Sequence, residues 1–169
     1  DFELIDVLPQ TTHGGSMRYV IGRKNKHKKS EIISKFLDEE QNKKLDTIES
    51  CLNFKKACEF SKKMTKEKLN NFKENGKKIC GYAATAKSTT VLNYCDIGNN
   101  LIDYICDTTK EKIGKFSPGT HIPIVPVSHF KENTPDVAFL FAWNHKEEIF
   151  LIEKEFKENG GVWFSHVTL

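Results

Sequence analysis

The chain has 169 residues, of which 38% are hydrophobic, enough to build one packed core. Its 26 basic and 23 acidic side chains leave a formal charge of only +3, which argues against a nucleic-acid partner. The basic run between Arg23 and Lys29 is typical of a solvated loop or helix face.

The cysteines and the apolar runs indicate the compartment. No CxxC pair occurs, so free thiols are favoured over a disulfide framework or a zinc site, and we expect no metal ligands. The start of the chain lacks the pattern of a signal peptide, and no apolar run approaches the roughly 20 residues of a membrane helix. We therefore expect a soluble, cytoplasmic protein without a membrane partner.

Two patterns precede the main domain. Residues 1–28 contain a strand in which Met17, Tyr19 and Ile21 alternate with their neighbours, and its abrupt start suggests the tail of a preceding region. From Ser30 to about Asn75 apolar residues recur at helical spacing without Pro or Gly. Residues 29–76 are therefore predicted to be a helical connector of one or two long helices that ends at Gly76.

Residues 77–169 alternate short apolar runs with helical patterns. The runs are KKICGY, LIDYICD, THIPIVP, DVAFLFAW and GGVWFSHV, and one long helix is predicted from Asn144 to Glu158. Strands separated by helices in this order predict an α/β fold, a Rossmann-like, mostly parallel sheet flanked by helices. Ligands of such sheets bind outside the carboxyl ends of the strands.

The loop after the first of these strands is the leading candidate for a ligand site. Small residues from Gly81 onward let backbone amides approach a ligand, and Lys87, Ser88 and Thr89 add a charge and hydroxyl groups at a helix N-terminus. Pyrophosphate suits that combination. The alternative is a plain strand-to-helix turn capped by Ser88 or Thr89, because neither a GxGxxG nor a P-loop motif is present.

Further polar residues follow the other strands. Asp107 ends the second strand 26 positions after Gly81, near the place of the ribose-binding acid in Rossmann units. His121 is expected at the head of the third strand, while Trp143 and Asn144 stand at the end of the fourth, where Asn144 could also be a helix cap. All should fall on one edge of the sheet.

A histidine in the first segment is a candidate general base. His13 precedes two glycines, so its imidazole would lie on a backbone that can turn sharply and approach a ligand closely. Histidine titrates near neutral pH and is the usual general base. On the residues alone, a His-Gly-Gly sequence is more often a simple turn than an active site.

Four segments carry a resemblance that spans nearly the whole chain. They are HGGSMR (13–18), GYAATAKSTTVLNYCDIG (81–98), LIDYICDTTKEKIGKFSPGTHIPIV (101–125) and PDVAFLFAWNHKEEI (135–149). In order and spacing they resemble the C-terminal part of the S-adenosylmethionine-dependent sugar C-methyltransferases. The loop departs from that family's commoner GYGAPAKG form, and Ala83 in place of Gly should matter only where φ is positive.

The resemblance implies a function and a set of roles. Such enzymes methylate a carbon next to the carbonyl of a nucleotide-linked deoxy keto sugar, and His13 matches the histidine of the HGGS motif, the expected base. The candidate substrate-binding residues are Gly81, Tyr82, Ala83, Lys87, Ser88, Thr89, Asp107, His121, Trp143 and Asn144.

The resemblance also implies partners. S-adenosylmethionine would serve the full-length enzyme, bound by a middle domain that follows an N-terminal zinc domain, on the same polypeptide or on a partner chain. No cofactor is expected on this chain alone, which we expect to be inactive by itself. The alternative is a stand-alone Rossmann-like nucleotide-binding or protein-interaction module without catalysis.

Overall fold

The computed structural model describes residues 1–167, which divide into two units, Asp1–Ala57 and the part that starts at Cys58. The last two residues of the predicted 77–169 domain lie outside the described residues. No helix within residues 1–167 is both long enough and apolar enough to cross a membrane. The elements are β1 (Phe2–Gln10), β2 (Ser16–Arg23), α1 (Ile32–Asn42), α2 (Ile48–Glu74), β3 (Ile79–Tyr82), α3 (Ala86–Cys95), β4 (Tyr104–Asp107), β5 (Ile124–Pro126), α4 (Val127–Glu132), β6 (Val137–Leu140), α5 (Lys146–Ile152), α6 (Lys154–Glu158) and β7 (Val162–Phe164).

The first unit is built on an antiparallel hairpin. The predicted strand is confirmed as β2, and it pairs with β1, which the sequence pattern did not predict. The register of β1 shifts between Leu4 and Asp6, and such a bulge interrupts the alternation of side chains by which a strand is recognised. Helix α1 packs against β1.

The predicted helical segment is present as two helices with a break. Lys44 adopts a left-handed conformation (φ 55°), and Thr47 then begins α2 by accepting a hydrogen bond from the Ser50 amide at its hydroxyl. Gly76 follows α2 with φ 70°, which confirms it as the predicted stop. At the start of α1 the cap position is Glu31, which makes no side-chain capping hydrogen bond, and the amide of the preceding Ser30 donates to the carbonyl of Ile5.

The second unit confirms the Rossmann-like prediction. Its five strands are all parallel in the order β5-β4-β3-β6-β7, which is the order of the first five strands of a Rossmann sheet. Because side chains alternate along a strand, Ile79 faces a core with Leu69 of α2 and Leu92 of α3. Cys80 and Tyr82 face the opposite side of the sheet, where they pack in a second core with side chains of α4, α5 and α6.

The long helix predicted from Asn144 to Glu158 is wrong. A short 3-10 turn at Trp143–His145 is followed by α5 and α6, which are separated at Glu153. The Glu153 side chain is only 4% exposed and accepts a hydrogen bond from the hydroxyl of Tyr82 at 3.0 Å, while Lys131 Nζ lies 3.7 Å away. A buried carboxylate must keep such partners, and the chain deviates from helical geometry where it does so.

Two residues at the end of β3 differ in what limits their side chains: Gly81, within the strand, by space and Ala83, just after it, by backbone conformation. A Cβ atom on Gly81 would lie 2.8 Å from the Phe141 ring and 2.9 Å from Ile105, so only glycine fits between them. Ala83 has a φ of 72°, a left-handed conformation that costs an L-amino acid roughly 1–2 kcal/mol relative to glycine. Its amide donates to the carbonyl of Cys106 at 2.8 Å, which holds it there.

We predict that Ala83→Gly raises the free energy of unfolding by about 0.5–1 kcal/mol, because relief of the left-handed strain exceeds the added entropy of the unfolded chain. Urea denaturation of the 169-residue chain measures this change. Gly81→Ala is the matched control and should destabilise by roughly 1–3 kcal/mol through overpacking. A loss of stability in Ala83→Gly would contradict the assigned conformation.

Candidate functional site

The carboxyl ends of β3 and β6 form the crevice in which ligands of such sheets bind. The two strands are neighbours, but the chain continues from β3 toward β4 and β5 on one side and from β6 toward β7 on the other. The loops after them meet, because Lys87 Nζ lies 6.0 Å from the centre of the Trp143 ring. The structure thus brings together two predicted site residues that are far apart in sequence.

The loop after β3 is organised by Thr85 rather than by the predicted caps. The Thr85 hydroxyl accepts a hydrogen bond from the Ser88 amide at 3.1 Å, and the Ser88 hydroxyl donates to the Thr85 carbonyl at 2.6 Å. The alternative prediction of Ser88 or Thr89 as the N-cap is therefore wrong, since Thr85 is the last extended residue before α3. Lys87 consequently lies in the first turn of α3, whose amides lack acceptors within the helix.

Asp107 holds this loop from the end of β4. Its carboxylate accepts hydrogen bonds from the Ala84 amide at 2.7 Å, the Thr109 amide at 2.7 Å and Lys112 Nζ at 3.2 Å. Lys112 Nζ also donates to the Ala84 carbonyl at 2.7 Å. Burial to 6% exposure raises the pKa of Asp107, but the bonds from Thr109 and Lys112 outweigh it and keep that pKa below its ordinary value.

Asn144 carries an unsatisfied acceptor beside this crevice. Its Oδ1 is buried and, among residues 1–167, receives no hydrogen bond from the protein. Asn144 lies within the 3-10 turn after β6, whose cap position is Ala142, so it is not the helix cap that the sequence allowed. Buried polar atoms are almost always paired, so this oxygen is an acceptor whose partner the described residues do not supply.

The remaining candidates of the second unit are more dispersed. Gly81 and Tyr82 belong to the interior, and the Tyr82 ring packs edge-on against Phe130 and Trp163 while its hydroxyl binds Glu153. His121 is exposed and lies in the loop before β5 rather than at the head of that strand, with a φ of 54°.

His13 belongs to the first unit, at the tip of the β1–β2 hairpin. It is exposed and has a φ of 56°, and the two glycines that follow have φ values of 86° and 125°. The Gly15 amide donates to the Thr12 carbonyl at 3.0 Å and closes the turn. Three successive positive φ values explain why glycines follow His13.

Sequence reasoning missed the wall opposite the start of α3. The loop from β4 to β5 supplies Lys112, Phe116 and Pro118 to a cavity of about 460 Å³, whose other wall includes Ser88 and Thr89. Lys112 and Phe116 were not candidates, although a basic and aromatic stretch directly after a strand end was a usable signal. Within residues 1–167, no three His, Cys, Asp or Glu side chains converge to hold a metal ion.

Comparison with known proteins assigns the chain to a family. A family model described as the C-methyltransferase C-terminal domain matches residues 11–167. The chain is also 31% identical over 159 residues to C-methyltransferase NovU of Streptomyces niveus, an alignment that covers 94% of this chain and 38% of that protein. It thus spans less than half of the length of this curated relative. The chain belongs to the family of C-methyltransferase C-terminal domains.

Proposed function

We propose that this chain is the nucleotide-sugar-binding C-terminal portion of an S-adenosylmethionine-dependent C-methyltransferase that acts on a nucleotide-linked deoxy keto sugar. In that enzyme residues 1–28 would be the tail of the preceding catalytic region and residues 77–169 the Rossmann-like domain. Residues 29–76 would be the helical connector between them. The observation that carries the proposal is the meeting of Lys87 and Trp143 where β3 and β6 end, the position at which sheets of this order bind nucleotides.

The first turn of α3 is the proposed diphosphate site. The amides of Ala86 and Lys87 open the helix, and the positive end of the helix dipole favours an anion there. The Lys87 ammonium adds a full charge. The hydrogen bonds of Asp107 and Lys112 support this role. They bind Ala84 at both its amide and its carbonyl and so hold the loop in place.

Asn144 is the proposed contact for the sugar. Its buried Oδ1 requires a donor, and the hydroxyl groups of a sugar are donors of suitable size. Binding of such a hydroxyl would satisfy an acceptor that otherwise carries a desolvation penalty.

The residues after β3 and β4 do not fit S-adenosylmethionine. A ribose-binding acid at the end of the second strand would need a free carboxylate, whereas the oxygens of Asp107 hold Ala84, Thr109 and Lys112. Gly81, the glycine nearest this loop, belongs to β3 and lies between Phe141 and Ile105. We therefore propose that the cofactor binds to a middle domain, preceded by a zinc domain, on the same polypeptide or a partner chain, and that this chain alone transfers no methyl group.

His13 is the proposed base. Loss of a proton from the carbon next to the carbonyl gives an enolate, and the base must reach that proton directly or through one water. An exposed imidazole on a turn closed by Gly15 meets the first requirement of such a base, which is access to the substrate. The developing enolate oxygen needs stabilisation by a donor or a positive charge.

A protein-interaction role is the second candidate, favoured by one observation in the first unit. Several large apolar side chains of the helical segment are at least half exposed, and exposed apolar groups of this kind mark contact surfaces. They are Leu37, Leu45, Ile48, Leu52 and Phe54.

We predict that Lys87→Gln in the intact protein weakens binding of a dTDP-linked deoxy keto sugar about tenfold, because a charge-assisted contact to phosphate is lost. Isothermal titration calorimetry measures the dissociation constant. Lys157→Gln, at an exposed lysine of α6, is the matched control and should leave it unchanged. An unaltered affinity in the Lys87 variant would rule out the phosphate role.

We also predict that His13→Ala slows exchange of the substrate's α-hydrogen with deuterated water by at least about 100-fold, the usual contribution of a general base. Exchange in the intact protein is followed by NMR, and the substrate dissociation constant should stay the same. His27→Ala removes another exposed histidine of the first unit and serves as the control. Normal exchange in His13→Ala would assign the base to another residue.

A further inference from the structure

Tyr82, the last residue of β3, is bonded to both ends of the chain segment that follows β6. Its carbonyl accepts a hydrogen bond from the Phe141 amide at 3.1 Å, and its hydroxyl donates to Glu153 Oε1 at 3.0 Å. The turn that carries Trp143 and Asn144 lies between these two attachment points and is followed by α5. One residue of β3 therefore holds both ends of the segment that forms the β6 side of the crevice.

The Tyr82 hydroxyl is held in place for its bond to Glu153. Tyr82 is 7% exposed, and its ring centre lies 5.3 Å from that of Phe130 in α4 and 5.4 Å from that of Trp163 in β7, both in edge-on contact. Burial and the charge of Glu153 raise the pKa of Tyr82 above its ordinary value, so the hydroxyl stays protonated and remains a donor. The bond thus joins two groups that are shielded from water, where a hydrogen bond to a carboxylate is strong.

This bond gives α5 a direction that its apolar contacts do not supply. Ile149 and Phe150 pack against the second core, and the Phe150 ring centre lies 5.1 Å from that of Trp163. Apolar packing is non-directional, whereas the Tyr82 bond fixes where the end of α5 lies relative to β3. Because α5 has only seven residues and directly follows the turn with Asn144, a shift of its end displaces that turn.

We propose that Tyr82 is a positioning residue for the sugar side of the crevice, which holds the Asn144 turn in place through Glu153 and does not itself touch the ligand. The inference rests on the proposed function and deepens it, because it names the groups that orient Asn144. The sequence predicted Tyr82 as a substrate-binding residue, whereas its ring and its hydroxyl both contact protein groups. Its effect on binding should therefore be specific to the sugar and leave the diphosphate contact of Lys87 unchanged.

Calorimetric titration of the intact protein with dTDP and with a dTDP-linked deoxy keto sugar tests the proposal. The dissociation constant of dTDP divided by that of the sugar nucleotide isolates the contribution of the sugar. We expect Tyr82→Phe, which removes only the hydroxyl, to reduce this ratio about 2- to 30-fold while the affinity for dTDP stays the same. Glu153→Gln retains an acceptor oxygen for the hydroxyl and should keep the ratio of the unaltered protein.

Tyr104→Phe is the matched control. Tyr104 stands on the neighbouring strand β4, packs against the same core and donates its hydroxyl bond to the Asn133 carbonyl at 3.2 Å, outside the segment between Phe141 and Glu153. Its substitution should leave the ratio unchanged. Hydrogen exchange of the 169-residue chain without ligand is a second readout, in which Tyr82→Phe should speed exchange of the α5 amides and Tyr104→Phe should not.

Three results in Tyr82→Phe would overturn the inference and leave the proposed function intact. They are an unchanged ratio, an equal loss of affinity for dTDP and for the sugar nucleotide, and unaltered exchange of the α5 amides. Failure of the sugar nucleotide to bind the unaltered protein would instead overturn the proposed function and the inference with it. Thermal unfolding of each variant establishes that a lost affinity is not a lost fold.

Discussion

The buried carboxylate of Asp107 is the interaction on which the geometry of the sheet's carboxyl edge depends. It joins the end of β4 to the loop after β3 through the Ala84 amide, and Lys112 completes the ring by binding both the carboxylate and the Ala84 carbonyl. A buried charge without these partners would cost several kcal/mol. The hydrogen bonds among the Asp107 carboxylate, the Ala84 amide and carbonyl, and the Lys112 ammonium therefore form or break together. We call this set of hydrogen bonds the Asp107 clamp. Ala83, in its left-handed conformation, directly precedes Ala84 and donates its amide hydrogen bond to the carbonyl of Cys106, which lies next to Asp107 in β4.

In the proposed function this clamp limits which ligands the domain binds. In a dinucleotide-binding unit the acid at this position faces the ribose, whereas here it is used within the protein. The crevice is then defined by the first turn of α3, with Lys87 and Asn144 toward β6 and an apolar cavity toward β5. We propose that this Rossmann-like sheet, which belongs to a methyltransferase family, binds a ligand other than the methyl donor.

The sequence predicted the sheet well because parallel strands buried on both faces appear as continuous apolar runs, as in ICGY and VAFL. Gly76 was predictable because long helices commonly end at a glycine with a left-handed backbone, and this requirement depends only on the local sequence. The chemistry at the strand ends was predictable in kind, since Lys87 and Trp143 were expected on one edge. Their contact with each other was not, because it depends on the order of the strands.

Errors occurred where distant residues decide local structure. The break at Glu153 coincides with the hydrogen bond of its side chain to Tyr82, 71 residues earlier, and no local pattern contains that contact. Thr85 became the cap instead of Ser88 because the chain after Ala83 stays extended under the Asp107 clamp. Phe116 was overlooked because its exposure depends on a turn pinned to β5.

The most direct test of the account is an amide chemical-shift titration of the 169-residue chain with dTDP and, separately, with S-adenosylmethionine. We expect dTDP to shift the backbone signals from Gly81 to Thr89 and S-adenosylmethionine to shift none of them. Shifts of the same signals by S-adenosylmethionine, with none caused by dTDP, would contradict it and make this domain the cofactor site.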